Sequence, residues 1–123
     1  MKIHRSAEDY LEMILMLSEE KDRVRSVDIA AGLSVTKPSV SVAMKQLREN
    51  GYIRMDENNY ITLTDEGEQI AHKIYDRHKA ITRFLVQIGV NEADAREDAC
   101  KIEHDISDAS FEAIKAYLAE REK

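Results

Sequence analysis

Apolar residues recur at helical spacing in several stretches of the chain and alternate in one. Tyr10, Leu11, Ile14, Leu15 and Leu17 mark one face of a helix over about residues 7–17. Ser6 stands where an N-cap would, with Asp9 three residues on. The charged run from Glu19 to Arg25 breaks this pattern and predicts a turn. "SVDIAAGLSVTKPSVSVAMKQLRENGYI" then predicts a short helix, a turn around Gly32 to Val35 and a second helix ending near Gly51. Thr36 can cap that second helix, and Pro38 is tolerated in its first turn, where an N–H needs no internal acceptor. Val40, Met44 and Leu47 form its inward stripe, leaving Lys37, Ser39, Ser41 and Lys45 at exposed or boundary positions. "YIRMDENNYITLT" alternates about a polar turn, which predicts a two-stranded hairpin with Asp56 to Asn59 at its tip.

The second half reads as helical throughout. "DEGEQIAHKIYDRHKAITRFLVQIG" predicts a long helix with Ile70, Ile74, Ile81, Leu85 and Ile88 on its apolar face. Gly67 lowers its propensity by only about 1 kcal/mol. Gly89 can end it, Asn91 can cap a following helix with Ala95, Ala99, Ile102 and Ile106 as its stripe, and "DASFEAIKAYLAE" completes the set with Phe111, Ile114 and Leu118 in register. The expected fold is mainly α: an N-terminal winged helix-turn-helix over residues 1–70 and a C-terminal helical domain over 71–123. So short a second unit with so much apolar surface calls for burial between two subunits. A two-fold homodimer would present two reading units to a pseudo-palindromic duplex.

Composition supports this reading. Four glycines and one proline in 123 residues leave little material for coil-rich architecture. No stretch approaches the roughly 18 apolar residues of a membrane span, the start lacks a secretion signal, and one cysteine cannot close an internal disulfide. A cytoplasmic location is expected, with no membrane partner. The net charge of −6 hides a local reversal: from Ser34 to Arg54, Lys37, Lys45, Arg48 and Arg54 face only Glu49, a balance of +3. A winged helix serves either DNA or protein recognition, and this reversal favours phosphate. Thr36, Lys37, Pro38, Ser39, Ser41 and Lys45 are the candidate DNA-binding residues.

"DACKIEHDIS" carries the other chemistry. On a helix Cys100, Glu103 and His104 fall within an arc of about 100 degrees, and thiolate, carboxylate and imidazole are compatible donors for a transition metal. Packing is the competing account, since free cysteine often behaves as a small buried hydrophobe. Asp9 and Glu12 share a face of the first helix, where Asp9 can equally cap and Glu12 equally be a surface charge. His78, on the long helix, suits either a ligand or a packed histidine. Cys100 and His104 on one helix establish no nucleophile and base, and no third orienting group follows from the sequence. An enzyme is not expected. A metal-independent winged-helix regulator remains the alternative.

The ordered segments "EDYLEMI", "VDIAAGLSVTKPSVSVAMKQL", "GYI", "ITLTDEG", "DRHKAITRFL" and "CKIEHDISD" resemble the diphtheria toxin repressor family, including its manganese-transport-regulator branch. The resemblance runs from Ser6 to Lys123. It implies a winged-helix DNA-binding unit, a helical dimerisation unit, and a divalent-metal-dependent repressor of manganese or iron uptake genes acting on double-stranded operator DNA. By position, Asp9, Glu12, His78, Glu103 and His104 match ligands of the manganese branch. Cys100 stands where that branch has a carboxylate and matches a cysteine ligand of the iron-responsive branch, which usually has methionine in place of Asp9. The implied primary site is a hybrid, suited to Mn(II) or Fe(II), with Zn(II) able to bind in vitro through the soft ligand. Arg96 and Thr82 depart from the histidine and glutamate of the iron regulators' ancillary site, which is not carried over. Nor does the resemblance include their C-terminal SH3-like domain. An ion held by donors from both units would reduce the freedom between them and favour the spacing needed to engage one duplex.

Overall fold

The computed structural model describes residues 5–122, which form two compact units divided between His72 and Lys73. Eight elements follow one another: α1 (Arg5–Glu20), α2 (Ser26–Leu33), α3 (Lys37–Glu49), β1 (Ile53–Met55), β2 (Ile61–Leu63), α4 (Asp65–Gln87), α5 (Glu92–Ile102) and α6 (Asp108–Arg121). The fold is mainly α, with a winged helix-turn-helix ahead of an all-helical domain. The division between the units falls inside α4.

The first unit closes around Leu11 and Ile14 of α1, Ile29 of α2, Val40 and Met44 of α3, and Ile53 of β1, each at most 2 % exposed. Burying side chains of this size contributes about 1.5–3 kcal/mol each. The caps are specific. Thr36 accepts the Ser39 N–H at 3.3 Å and opens α3, with Pro38 in the first turn. Asp28 accepts the Arg25 N–H at 2.9 Å and also pairs with Lys21 at 2.8 Å, tying down the start of α2. Ser6 lies within α1 and does not cap it, because the helix already includes Arg5.

β1 and β2 pair antiparallel, Ile53 opposite Leu63 and Met55 opposite Ile61. Asp56 shapes the turn, its Oδ1 accepting the Asn58 and Tyr60 N–H groups at 2.8 and 3.0 Å. The charged stretch predicted as a plain turn adds a third edge to this wing. The buried Val24 forms an antiparallel bridge with Ile61, whose N–H donates to its carbonyl at 2.7 Å. Gly67 is required by contact: a Cβ there would sit 2.0 Å from the backbone oxygen of Tyr52. Thr64 completes the junction, its hydroxyl donating to the Gly51 carbonyl at 2.6 Å and accepting the Gly67 N–H at 3.2 Å.

In the second unit, Asn91 caps α5 through the Asp94 N–H at 2.9 Å, and Ser107 caps α6 through the Ser110 N–H at 3.1 Å. Ala80, Phe111 and Leu118 form a core joined by Phe84, Ile106 and Ile114. Ala95 and Ala99 are fully buried, as their stripe predicts, but Ile102 is 38 % exposed. Ile102 closes α5 at the surface of the unit, and the turn that follows donates back to its carbonyl from Asp105 and Ile106. Ile88, past the end of α4, and Val86 are exposed too, at 57 % and 43 %. Among the described residues no helix is long and apolar enough to cross a membrane.

Candidate metal centre and nucleic-acid interface

Helix α3 presents the first candidate surface. Its inward residues Val40, Met44 and Leu47 are buried, which turns Lys37, Pro38, Ser39, Ser41 and Lys45 to solvent with Thr36 at the cap. Hydroxyls, amines and a helix N-terminus on one accessible face are suited to phosphate and base-edge recognition. Two further outward residues escaped the sequence reading. Val42 is 59 % exposed, and Gln46 is exposed one turn beyond it. The signal for Val42 was present, because it falls outside the register of the buried stripe. On the wing, Arg23 and Arg25 lie over the Tyr60 ring, their guanidinium carbons 4.9 and 4.5 Å from its centroid. That pairing holds two cations beside the hairpin.

The second candidate site is built by α4, α5 and the turn after α5. Cys100 lies on the last turn of α5, while Glu103 caps the helix and His104 follows in the turn. The three are therefore not on one uninterrupted helical arc. Glu103 keeps a near-helical backbone and donates its N–H to Ala99 at 2.9 Å, which preserves the approach to Cys100. The donor atoms of His78, Cys100 and Glu103 all lie within 4.8 Å of one another.

Glu103 is central to this group. It is 0 % exposed, an expensive place for a carboxylate unless cations or hydrogen bonds surround it. Its Oε2 lies 3.0 Å from Nδ1 of His78, and its Oε1, which is buried and makes no hydrogen bond, lies 3.5 Å from Nε2 of His104. Cys100 is exposed and places Sγ 3.8 Å from the same Nδ1 of His78. Cys100 first, then Glu103, outweighs burial and pushes the His78 imidazole up to about 10. A protonated His78 offsets the buried Glu103 carboxylate beside it. A divalent ion offers the same compensation at higher charge, and the set of imidazole, thiolate and carboxylate fits borderline ions. The residues present thus form a potential metal-binding cluster.

Asp9 and Glu12 belong to the first unit, one turn apart on α1. Glu12 is only 7 % exposed and Asp9 is half-buried, so neither is the free surface charge that their types suggest in isolation. Arg77 also went unremarked in the sequence. It is 5 % exposed, and its position between Ile74 and Ile81 places it in register with the apolar stripe of α4. A basic residue in a core register is the signal that could have found it.

The arrangement of a DNA-reading unit followed by a helical unit with a cluster of metal donors defines a metal-responsive transcriptional regulator rather than an enzyme. Residues 2–60 match the iron dependent repressor N-terminal DNA binding domain, and residues 64–123 match the iron dependent repressor metal binding and dimerisation domain. The chain belongs to this family of iron- and manganese-dependent regulators. It is 38 % identical over 115 residues to an uncharacterised helix-turn-helix-type transcriptional regulator of Methanocaldococcus jannaschii, covering 92 % of each chain. It is 37 % identical over 110 residues to the transcriptional regulator MntR of Salmonella typhimurium, covering 89 % of this chain and 70 % of that one. Among solved structures, a manganese-dependent transcriptional repressor in complex with manganese superposes with a TM-score of 0.83 at 30 % identity, over 92 % of this chain and 52 % of that one. The chain therefore spans about half the length of that repressor.

Proposed function

We propose that this chain acts as a divalent-metal-dependent repressor that binds double-stranded operator DNA as a homodimer and controls manganese or iron uptake genes. The observation that carries the metal reading is the buried Glu103 carboxylate, with His78 on one oxygen, His104 beside the other and Cys100 alongside. His78, Cys100, Glu103 and His104 are the proposed ligands from the second unit. Asp9 and Glu12 are the further ligands that the family resemblance assigns, and the burial of Glu12 supports the assignment. Mn(II) or Fe(II) is the proposed signal. Cys100 adds a soft donor through which Zn(II) can bind in vitro.

When bound, the ion supplies positive charge that neutralises clustered carboxylate and thiolate donors. His78 must give up its proton to serve as a ligand, so metal uptake is coupled to proton release. Glu103 holds the His78 imidazole through Oε2 at 3.0 Å and turns Oε1 toward His104 at 3.5 Å, so one carboxylate faces both imidazoles. On the DNA side, Thr36, Lys37, Pro38, Ser39, Ser41 and Lys45 meet the duplex, with Lys45 neutralising a phosphate. Val42 offers an apolar surface of the kind that packs on a thymine methyl. The exposed Val86, Ile88 and Ile102 of the second unit support dimerisation as the means of covering its apolar surface.

The test uses duplex DNA selected from a random-sequence pool in the presence of Mn(II). Wild-type protein is expected to bind with Mn(II) or Fe(II), the latter without oxygen, and to release the duplex on chelation. His104→Ala loses the stimulation, and Lys45→Ala binds more weakly with a salt slope reduced by about 1. Equal binding with and without metal would establish a metal-independent regulator instead. Equal stimulation of wild type and His104→Ala removes His104 from the ligand set.

A further inference from the structure

Arg77 occupies a position that neither DNA reading nor ligation explains. It immediately precedes His78 on α4, and its side chain is 6 % exposed. A buried guanidinium is sustained only by several hydrogen bonds and a counter-charge. Its Nη1 donates to the backbone carbonyls of Glu103 at 3.3 Å and Ile106 at 2.7 Å. Its Nη2 pairs with the carboxylate of Asp108, the first residue of α6, and its Cζ lies 5.3 Å from the Phe111 ring centroid. All these partners lie within the segment from the end of α5 to the start of α6.

That segment needs such a partner. Once α5 stops at Ile102, the N–H groups of Glu103, Asp105 and Ile106 still donate back to the helix, at 2.9, 3.0 and 3.1 Å. The carbonyls of Glu103, which caps α5, and of Ile106, in the turn before α6, both accept from Arg77. Arg77 supplies the donors. One rigid fork thereby ties α4, at the residue beside His78, to the backbone of Glu103 itself.

We propose that Arg77 is a positioning residue for the metal centre: its guanidinium holds the Glu103–Asp108 segment so that Glu103 and His104 stay in register with His78. The inference rests on the metal reading above. It assigns to Arg77 no contact with the ion. Residues that orient ligands commonly alter metal affinity by about 10–100-fold when replaced. Arginine is specifically required because its planar donors reach two carbonyls and a carboxylate at once, which the single ammonium of lysine cannot do in the same geometry.

Co(II) is a suitable probe, because its d–d bands report ligand geometry and its thiolate charge-transfer absorption reports Cys100. Full-length wild type, Arg77→Lys and Asp108→Ala are titrated with Co(II), and the thermal stability of each metal-free protein is measured separately. The Asp108 side chain is 78 % exposed, so its removal opens no cavity but takes from Arg77 its counter-charge. Arg77→Lys is expected to lose about 10–100-fold in Co(II) affinity with altered d–d bands. Asp108→Ala is expected to lose about tenfold, with altered d–d bands, at a temperature well below its own metal-free melting point. Unchanged affinity and bands in both variants would overturn the inference. So would an affinity loss that merely follows lost metal-free stability with the bands unaltered. Failure of the wild type to bind Co(II) at all would instead overturn the metal reading, and the inference with it.

Discussion

The two units place their working side chains on opposite sides of their surfaces. In the first, the residues proposed to meet DNA are exposed and stand on a helix whose other face is packed apolar core: Lys37, Ser39, Ser41 and Lys45 outward, Val40, Met44 and Leu47 inward. In the second, Glu103 is wholly buried, the His104 side chain is 2 % exposed, and Arg77 is locked into the core register of α4. The physical reason is the partner. A duplex approaches from solvent and must find its donors already there, whereas a bare ion is held by taking donors out of water. Function and stability are therefore separable in the first unit and entangled in the second.

Replacing Glu103 tests that entanglement most severely. For the wild type, Mn(II) held about a hundredfold above its dissociation constant adds about 2.7 kcal/mol to the unfolding free energy. Glu103→Gln keeps the side-chain volume but removes the charge between the two imidazoles, and the metal-dependent rise in thermal midpoint should vanish. Retention of the full rise would mean that the buried carboxylate is structural only. Gly67→Ala reverses the lesson by attacking the interior of the first unit. Helix propensity alone would make alanine favourable by about 1 kcal/mol. The added Cβ meets the Tyr52 carbonyl, however, and a net loss of about 1–3 kcal/mol is expected in denaturant unfolding. A stabilised variant would refute the contact argument. The smallest effect concerns Asp28, whose carboxyl is held below its ordinary value of 3.8, first by Lys21 and then by the Arg25 N–H. A lowered folded-state pKa contributes stability that is complete above the unfolded value and disappears as pH falls through the folded one. Asp28→Asn should therefore be less stable than wild type near neutral pH, with the gap closing as pH drops below 3.8. A gap that persists in acid would assign the difference to shape rather than charge.

The same contrast governed what could be read in advance. The first unit was legible because its elements are amphipathic and its punctuation is local: Thr36 before Pro38, the Asp56–Asn59 turn, and a strict inward stripe in α3. Val24 was missed because it is a single apolar residue inside a charged run, and its burial depends on pairing with Ile61, a long-range contact that has no periodic trace. The donors of the second unit could be named, but the end of α5 could not be placed. No glycine or proline marks it, so Glu103 and His104 were assigned to a continuing helix and Ile102 to a core stripe. The helix stops where Arg77 takes over the carbonyls of Glu103 and Ile106, an interaction spanning 26 and 29 residues. Side-chain donors arriving from so far along the chain are invisible to spacing rules.

The exposure of Cys100 sets it apart from the other donors of the second unit. Glu103 is wholly buried among packed neighbours, whereas position 100 opens to solvent, where a larger side chain has room. The soft donor of the proposed ligand set is thus the most exposed of its second-unit members. Under the proposed ligation, exchanging Cys100 for a carboxylate would change the donor set at its exposed edge while leaving the buried Glu103 and Arg77 in place.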